Sequence, residues 1–300
     1  MGQVSIVIPA YNESGIVGNT VESVREVFRD SGHEFEVIVV DDGSTDQTGR
    51  EAEDAGALVI HHPKNIGYGN AILTGVKHAR HPLVAITDAD GTYPVSELPA
   101  MVSETEERGL DMLAGARKGK HYRGTAFKSG ARAVLKYMAE FTAGRKIPDV
   151  NSGLRVMRRD MVLEYGPLLC GGFSFTTTIT AVAMLDRRFV EYREIEYKAR
   201  HGKSKVSYLR DALRVTRLLA TVLLLFHPMK LYLLLAAGVS ATGILAVIAH
   251  VALDVSGVTV SIFLATGLAA AFLIAMGLLA EQRRVMAETE RAGSFRTKNR

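Results

Sequence analysis

Two aspartates separated by one residue, Asp88 and Asp90, constrain this chain more than any other feature of its sequence. They follow an apolar run over 83–86 and lead into a Gly-Thr-Tyr-Pro turn, which predicts that both lie at the end of a strand. Alternate residues of an extended chain share a face, where two like charges disfavour each other's ionisation unless a cation lies between them. Because hard oxygen ligands suit Mg²⁺ or Mn²⁺, the pair predicts a divalent metal site; an acidic turn at a strand end is the alternative.

Short apolar runs alternate with helical patterns through the first two thirds of the chain. Strands are predicted over 4–9, 35–40, 58–60, 83–86, 110–114 and 189–195, and helices over about 16–29, 65–80 and 173–185. This alternation is typical of an α/β fold in which a mostly parallel sheet lies between helix layers. Ligands of such sheets bind outside the carboxyl ends of the strands, so three polar loops, 9–13, 41–44 and 88–93, are expected to meet at one edge.

Two stretches of the chain are strongly basic. No acidic residue occurs over 112–139, where apolar residues at helical spacing predict an amphipathic helix with a basic face. Its cations are Arg117, Lys118, Lys120, Arg123, Lys128, Arg132 and Lys136. Lipid phosphate is the expected partner and a solvated face is the alternative, whereas nucleic acid is not expected because the segment lacks interleaved aromatic residues. The second stretch, 200–205, has Arg200, Lys203 and Lys205 around Gly202; it is suited to folding over a phosphate, and a basic linker is the alternative.

Two long apolar stretches, 231–253 and 258–280, contain no Asp, Glu, Lys or Arg. As helices they would each extend roughly 34 Å, enough to cross a hydrocarbon core of about 30 Å. Cations flank the pair on both outer sides and the link 254–257 has none, so the sequence predicts an integral protein of the cytoplasmic membrane with its soluble part and both termini in the cytoplasm. Gly267 and Ala271 are expected to let the two helices pack closely. Residues 208–226 predict an interfacial amphipathic helix, with docking against the soluble part as the alternative.

The sequence therefore predicts four regions: a soluble domain over 1–205, an amphipathic juxtamembrane helix over 206–228, a two-helix transmembrane hairpin over 229–281 and a basic tail over 282–300. Cys170 is the single cysteine, so no internal disulfide is expected and a reducing compartment is the simpler assignment. Residues 3–9 lack the basic region of a secretory signal. A homo-oligomer formed through the membrane helices and a monomer are both compatible with this organisation.

Four motifs in a fixed order resemble those of a known enzyme family. They are Ile8-Pro9-Ala10-Tyr11-Asn12-Glu13, Asp41-Asp42-Gly43-Ser44, Asp88-Ala89-Asp90 and Arg200-x-Gly202-x-Ser204-Lys205. Their order and spacing are similar to those of family 2 glycosyltransferases of the GT-A fold, a Rossmann-like α/β architecture. Within that family the chain resembles, over about residues 3–280, the polyprenyl-phosphate glycosyltransferases, including dolichol-phosphate mannose synthases and undecaprenyl-phosphate glucosyltransferases.

For the donor side, the resemblance implies a nucleotide-sugar and a Mg²⁺ or Mn²⁺ ion. The residues implied to line the donor pocket are Pro9, Tyr11, Glu13, Asp41 and Asp42. Asp88 would lie near the ribose and sugar, and Asp90 would bind the metal that bridges the diphosphate, with Asp88 beside it. Arg200 and Lys205 would close on the diphosphate. Dolichol-phosphate mannose synthases often have a glutamine metal contact two residues after the second Asp, whereas this chain has Thr92.

For the acceptor side, the resemblance implies a polyprenyl phosphate embedded in membrane lipid. Its phosphate would be held by Arg117, Ser152 and a cation of the next segment, either Lys128 or Arg132. A phosphate monoester has a second pKa of about 6 and is already an anionic nucleophile at neutral pH, so no strong general base is required. Asp149 is expected to cap its loop, with a role as base or sugar contact as the alternative.

The implied reaction is an inverting, metal-dependent transfer of a sugar to the polyprenyl phosphate. Residues 65–69 and 90–94 look more like the relatives that use UDP-sugars, such as UDP-glucose or UDP-GlcNAc, than those that use GDP-mannose. A polysaccharide synthase is the alternative enzyme, although such enzymes generally need more membrane spans. A membrane scaffold that binds lipid phosphate without catalysis is the alternative outside enzymes.

Overall fold

The computed structural model describes residues 2–118, 137, 140–141, 144–169, 175–197, 220–221, 223–224, 226–252 and 259–298. The chain divides into two compact units, Met1–Leu219 and Ala220–Arg300. The predicted amphipathic helix of the basic segment, the 200–205 loop, Cys170 and nearly all of the predicted interfacial helix lie outside the described residues.

The first unit is built on a mixed sheet of seven strands in the order β3-β2-β1-β4-β6-β5-β7. The strands are β1 (Gln3–Ala10), β2 (Glu34–Asp41), β3 (Leu58–His61), β4 (Leu83–Ile86), β5 (Met112–Lys118), β6 (Arg155–Arg158) and β7 (Val190–Glu196). Neighbouring strands are parallel except at β6, which pairs antiparallel with both β4 and β5. The predicted mostly parallel sheet is confirmed, and one reversed strand interrupts it.

Helices cover both faces of this sheet. They are α1 (Val17–Arg29), α2 (Thr48–Asp54), α3 (Tyr68–His78), α4 (Leu98–Glu107), α5 (Arg159–Tyr165) and α6 (Phe175–Leu185), with short 3-10 turns at Val95–Glu97 and Gly166–Leu168. One face of β1, with Ile6 and Ile8, packs into a core with α1 and α4. The other face meets α3, where Val7 lies against Gly75. This alternation along β1 is what a strand buried on both sides requires.

Two boundaries differ from the sequence prediction in ways that affect the site. Strand β5 runs to Lys118 instead of ending at residue 114, so Arg117 belongs to the strand and its backbone is fixed by pairing with Ile195 of β7. Helix α3 begins at Tyr68, so residues 65–67 form a loop before it. The first difference lengthens β5 and the second shortens α3, and both occur at the sheet edge where the polar loops lie.

The second unit consists of two helices that pack against one another, α7 (Pro228–Ala252) and α8 (Thr259–Lys298). The segments Pro228–His250 and Val260–Met286 are long and apolar enough to cross a membrane. Close packing occurs at Gly243, where a Cβ would lie 2.5 Å from Thr266 Oγ1, and at Gly277, where it would lie 2.8 Å from Tyr232 Cβ. The prediction for Gly267 is wrong, because a Cβ there would have no atom within 4 Å.

Gly75→Ala should destabilise the soluble unit. A Cβ at this position of α3 would lie 2.4 Å from Val7 Cγ1 and 3.2 Å from Val40 Cγ2, so the helix would have to move away from the sheet. Overpacking of this kind costs about 1–3 kcal/mol, measured as a lower midpoint of thermal unfolding of the full chain in detergent.

Gly18→Ala is the matched control within a helix. Its new Cβ would lie 3.5 Å from the carbonyl oxygen of Glu51, an ordinary contact, and alanine favours the helix by up to about 1 kcal/mol. The midpoint should therefore stay unchanged or rise. Equal midpoints for the Gly75 variant and the wild type would contradict the packing described here.

Candidate active site

The carboxyl ends of β1, β2 and β4 place three polar loops at one edge of the sheet. Ala10 pairs with Asp41, and Val7 pairs with Ile86, so the three strands finish close together. The loops after β1 and β2 are joined by hydrogen bonds: the Asn12 amide donates to Ser44 Oγ at 3.0 Å, and the Thr45 amide donates to Asn12 Oδ1 at 2.9 Å. Asn12 has a φ of 51°, a conformation that asparagine tolerates better than most residues.

Asp41 and Asp42 are both buried and hold the backbone of this edge. Asp41 Oδ1 accepts from the Ser44 amide at 2.9 Å, and Asp42 accepts from the amides of Ile66 at 3.0 Å and Gly67 at 2.8 Å. Asp42 Oδ1 also lies 2.8 Å from His62 Nδ1. The acidic pair therefore fixes the loop before α3 to the end of β2.

Tyr68, the first residue of α3, positions Asp88, the first aspartate of the Asp88-Ala89-Asp90 motif. Its hydroxyl donates to Asp88 Oδ1 at 2.8 Å. Burial, and then the negative charge of Asp88, raise the pKa of Tyr68 well above its ordinary value, so the hydroxyl stays protonated as a donor. On the other side Gly153 lies against the same carboxylate: a Cβ there would be 2.7 Å from Asp88 Oδ1. Asp88 is thus confined between a tyrosine and a glycine.

The second aspartate, Asp90, is held by Thr92. The Thr92 hydroxyl donates to Asp90 Oδ1 at 2.6 Å and its amide donates to the same oxygen at 3.1 Å. Both side chains are buried, with Asp90 7% and Thr92 1% exposed. Thr92 therefore orients the carboxylate of Asp90.

The two aspartates suit a divalent metal as hard oxygen donors. The described residues contain no cluster of three or more His, Cys, Asp or Glu side chains arranged as a complete metal site. Mg²⁺ is commonly bound by one or two carboxylates together with substrate phosphates and water, so a pair of aspartates is a fitting donor set. Asp88 and Asp90 are the residues that would hold it.

Arg117 and Asp149 form a buried two-pronged ion pair near these acids. Arg117 Nε donates to Asp149 Oδ2 at 2.7 Å and Nη2 donates to Oδ1 at 3.0 Å, with the side chains 14% and 2% exposed. Burial acts to raise the pKa of Asp149, but the hydrogen bonds and charge of Arg117 outweigh it and hold the pKa below its ordinary value. Asp149 also accepts from the Asn151 amide at 3.0 Å, the geometry of a loop cap.

Two further tyrosines, Tyr93 and Tyr197, contact the loop 149–153 and the Arg117 side chain. Tyr93 Oη accepts from the Gly153 amide at 2.7 Å, and its ring packs edge-on against Tyr197 with centroids 5.2 Å apart. The Arg117 guanidinium lies 5.2 Å from the centroid of Tyr197. Burial raises the pKa of Tyr93. The sequence patterns did not assign Tyr68, Tyr93 or Tyr197 to the site, although Tyr93 lies in the loop after β4 and Tyr68 begins the helix that follows the loop after β3.

The structure describes only part of the predicted site. The predicted site residues that the structure describes at this edge are Pro9, Tyr11, Glu13, Asp41, Asp42, Asp88, Asp90, Arg117 and Ser152. Lys128, Arg132, Arg200 and Lys205 lie outside the described residues. Ser152 is fully buried, and its hydroxyl has no hydrogen-bond partner among the described residues, so it does not present an oxygen to solvent.

Comparison with known proteins identifies the family. The family model described as glycosyl transferase family 2 matches residues 5–166, more than half of the chain. This protein belongs to glycosyl transferase family 2. Its family region contains most of β1, strands β2 to β6, the Asp88 and Asp90 motif, and the loop that holds Asp149.

Several curated proteins are similar to the chain over most of its length. An undecaprenyl-phosphate 4-deoxy-4-formamido-L-arabinose transferase of Klebsiella pneumoniae is 28% identical over 69% of this chain and 64% of its own. A dodecaprenyl-phosphate galacturonate synthase of Rhizobium johnstonii is 30% identical over 69% and 63%. A low-salt glycan biosynthesis hexosyltransferase of Haloferax volcanii is 30% identical over 81% and 58%. The matches thus span about three fifths of the length of these relatives.

Solved structures confirm the GT-A fold. Glucosyl-3-phosphoglycerate synthase from Mycobacterium tuberculosis, in complex with Mn²⁺, UDP-glucose and phosphoglyceric acid, superposes with a TM-score of 0.57 at 20% identity over 74% of this chain and 79% of its own. The same enzyme in complex with Mg²⁺ and UDP gives the same TM-score over 74% and 78%. At this level of identity the likeness establishes architecture.

Asp149→Asn should lower the stability of the protein in a pH-dependent way. Removing one partner of a buried ion pair costs roughly 3–5 kcal/mol. The pKa of Asp149 is lower in the folded state than in the unfolded state, where it is about 3.9. Ionised Asp149 therefore adds its full share to the free energy of unfolding above that pH, and this share is lost as the pH falls through the folded-state pKa. Thermal unfolding from pH 7 down to pH 3 should show a large gap to wild type that closes in acid.

Asp54→Asn provides the comparison for this measurement. Asp54 makes an exposed pair with Arg50 at 4.0 Å, so its loss should change stability by less than about 0.5 kcal/mol at any of these pH values. If the Asp149 variant behaved like the Asp54 variant, the ion pair would not contribute to folding as described.

Proposed function

We propose that this protein transfers a sugar from a nucleoside-diphosphate sugar to a polyprenyl phosphate. The observation that supports this most directly is the loop 149–153, which contacts both sides of the site. Its Gly153 packs against Asp88, and its Asp149 holds the guanidinium of Arg117. An acid suited to a metal-bound diphosphate and a cation suited to a second phosphate thus lie at the two ends of one short segment.

The donor is proposed to be a UDP-sugar bound at the carboxyl edge of the sheet. The GT-A neighbours described above include complexes with Mn²⁺ and UDP-glucose or with Mg²⁺ and UDP. Pro9, Tyr11, Glu13, Asp41 and Asp42 surround the nucleoside side in this proposal. A Mg²⁺ or Mn²⁺ ion held by Asp88 and Asp90 would neutralise negative charge on the diphosphate leaving group. Arg200 and Lys205 are proposed to contact the same diphosphate.

The acceptor phosphate is proposed to bind at Arg117. A guanidinium carries five N–H donors in a planar fork, so Arg117 is proposed to donate to a phosphate in addition to the two hydrogen bonds that it makes to Asp149. Tyr197 and Asp149 fix this guanidinium from two directions, which reduces the entropy lost when a phosphate binds. Lys128 or Arg132 is proposed as a second cation. Ser152 remains a predicted contact of this phosphate; its side chain is fully buried in the structure.

The chemistry requires alignment more than proton transfer. The acceptor oxygen is already anionic at neutral pH, and Asp149 is committed to Arg117 with a lowered pKa, so Asp149 is assigned to positioning and not to proton abstraction. The phosphate oxygen attacks the anomeric carbon as the bond to the nucleoside diphosphate breaks. In-line displacement of this kind inverts the configuration at that carbon.

The membrane arrangement is proposed from the distribution of charge. The two apolar helices are joined by residues 253–258, whose sequence contains no Lys or Arg, whereas cations precede α7 and follow the apolar part of α8. This asymmetry favours a cytoplasmic location for the catalytic unit and both outer flanks of the hairpin. The polyprenyl acceptor would be supplied from the same bilayer.

A donor panel on sealed membrane vesicles tests both the reaction and the orientation. Inside-out vesicles containing the full chain, undecaprenyl phosphate and Mg²⁺ or Mn²⁺ should release UDP from one UDP-sugar and form a lipid-linked sugar. Right-side-out vesicles should not use the same donor, because it cannot cross the membrane. Nucleotide release without a lipid-linked product, or no release from any donor, would contradict the proposed transfer.

Asp90→Asn should abolish metal-dependent transfer while leaving the fold intact. The amide keeps the size of the side chain and an oxygen that can accept from Thr92, but it loses the charge that a metal needs. The expected loss is at least about 10²-fold in kcat, with Mn²⁺ affinity by titration calorimetry reduced in parallel. Asp30→Asn, at the exposed end of α1, changes net charge equally and should leave both quantities unchanged. Undiminished Mn²⁺ binding in the Asp90 variant would place the metal elsewhere.

A further inference from the structure

Arg155 is a buried cation that the proposed chemistry does not use. It is the first residue of β6, it is 0% exposed, and it is the largest of the fully buried side chains. Burial lowers its pKa from the ordinary value, although an arginine remains protonated at neutral pH. Burying a charge is costly unless polar groups compensate it, so the partners of this guanidinium define what it does.

Within the described part of the chain, the hydrogen-bond partners of Arg155 are all uncharged, although the negative charge of Asp149 also acts on the guanidinium. Nε donates to the Ser152 carbonyl at 2.8 Å and Nη2 donates to the Val150 carbonyl at 3.2 Å. Nη1 donates to Thr180 Oγ1 at 2.7 Å and lies 3.5 Å from Met112 Sδ. One rigid planar group therefore ties two carbonyls of the loop 149–153 to helix α6 and strand β5.

The sheet register places Arg155 between the two sides of the proposed site. It pairs with Ile86 at the end of β4, two residues before Asp88, and with Ala114 of β5, three residues before Arg117. No other residue of β6 pairs with the last residue of β4. The guanidinium thus lies beneath the loop at the point where the donor strand and the acceptor strand come together.

Both ends of the loop contact residues assigned to substrates. At its start, Asp149 binds Arg117 through two hydrogen bonds of 2.7 and 3.0 Å. At its end, Gly153 approaches Asp88 so closely that a Cβ would lie 2.7 Å from the carboxylate. A displacement of the carbonyls between them would therefore move the ion pair and the carboxylate contact together.

We propose that Arg155 is a positioning residue that sets the distance between the donor-side acid Asp88 and the acceptor-side cation Arg117, by fixing the carbonyls of Val150 and Ser152. This role rests on the proposed function for the assignment of Asp88 and Arg117 to donor and acceptor. Arg155 touches neither substrate, because its side chain is fully enclosed.

The test compares Arg155→Met with Arg155→Lys in the full chain. The substrates are undecaprenyl phosphate and the UDP-sugar that the wild type uses in the donor panel. Methionine fills a similar volume without donors, and lysine keeps the charge without the two-pronged geometry. A misplacement of about 1 Å costs roughly 10²-fold in rate, so kcat should fall about 10²-fold with methionine and about 10-fold with lysine. Unchanged kcat in both folded variants would overturn the proposal.

Arg159→Met is the matched control. Arg159 also donates to two backbone carbonyls, those of Val76 at 3.1 Å and Lys77 at 3.2 Å, but these belong to α3 and not to the loop. This variant should lower the unfolding midpoint without changing kcat. An equal loss of kcat at Arg159 would show that Arg155 acts only through general stability.

A double variant tests whether Arg155 acts through the loop. If it does, Arg155→Met combined with Asp149→Asn should reduce kcat by clearly less than the product of the two single reductions, because both changes release the same segment. Independent, multiplicative losses would overturn the route through Asp149.

Thr180→Val covers the case in which the arginine variants do not fold. It keeps the shape of the side chain and the arginine, and it removes one acceptor of the guanidinium. Amide hydrogen exchange over residues 149–154 should become several-fold faster, with α3 unchanged, and kcat should fall several-fold. If the Thr180 variant showed the same exchange rate as the wild type over residues 149–154, the positioning role of Arg155 would be overturned. Inactivity of the wild type on every donor would overturn the proposed function instead, and the exchange measurement would still test the role of Arg155.

Discussion

The ion pair between Arg117 and Asp149 joins strand β5 to the loop 149–153 at the proposed site. One partner belongs to strand β5 and the other to the loop before β6; Asp149 is buried and Arg117 is largely buried. In such surroundings an unpaired charge is far more costly than a paired one, so neither residue can turn away without its partner. The fold therefore sets the orientation of the Arg117 guanidinium before any ligand binds.

The reversed strand β6 explains why a loop from late in the chain reaches this place. Parallel strands end at one edge of the sheet, so a parallel β6 would have brought its preceding loop to the opposite edge. Because β6 runs antiparallel to β4 and β5, its first residue lies beside the last residue of β4. The loop 149–153 consequently lies at the sheet edge where β1, β2 and β4 end, and it contacts Asp88 and Tyr93 of the loop after β4. An all-parallel sheet would not bring this loop to that edge.

Much of the fold could be predicted from the sequence because it depends on local patterns. The apolar run over 83–86 is strand β4, and the acids that follow it lie at the sheet edge. The contacts that give the site its shape are not local: Tyr68 and Gly153 meet Asp88 from segments far away in the chain. No periodicity reveals that Arg155 is buried, since an arginine after a polar loop reads as a surface residue. Ser152 illustrates the same limit, because its burial follows from tertiary packing alone.

Helix α8 is much longer than its apolar part requires. Its 40 residues extend about 60 Å at about 1.5 Å per residue, twice the thickness of a hydrocarbon core of about 30 Å. The apolar segment ends at Met286, yet the helix continues without interruption to Lys298. A continuous helix transmits bending and rotation along its axis far better than a flexible linker of the same length. In the proposed membrane arrangement, tilt of the apolar segment would displace the polar end of α8 sideways, by an amount that grows with the length of helix outside the bilayer.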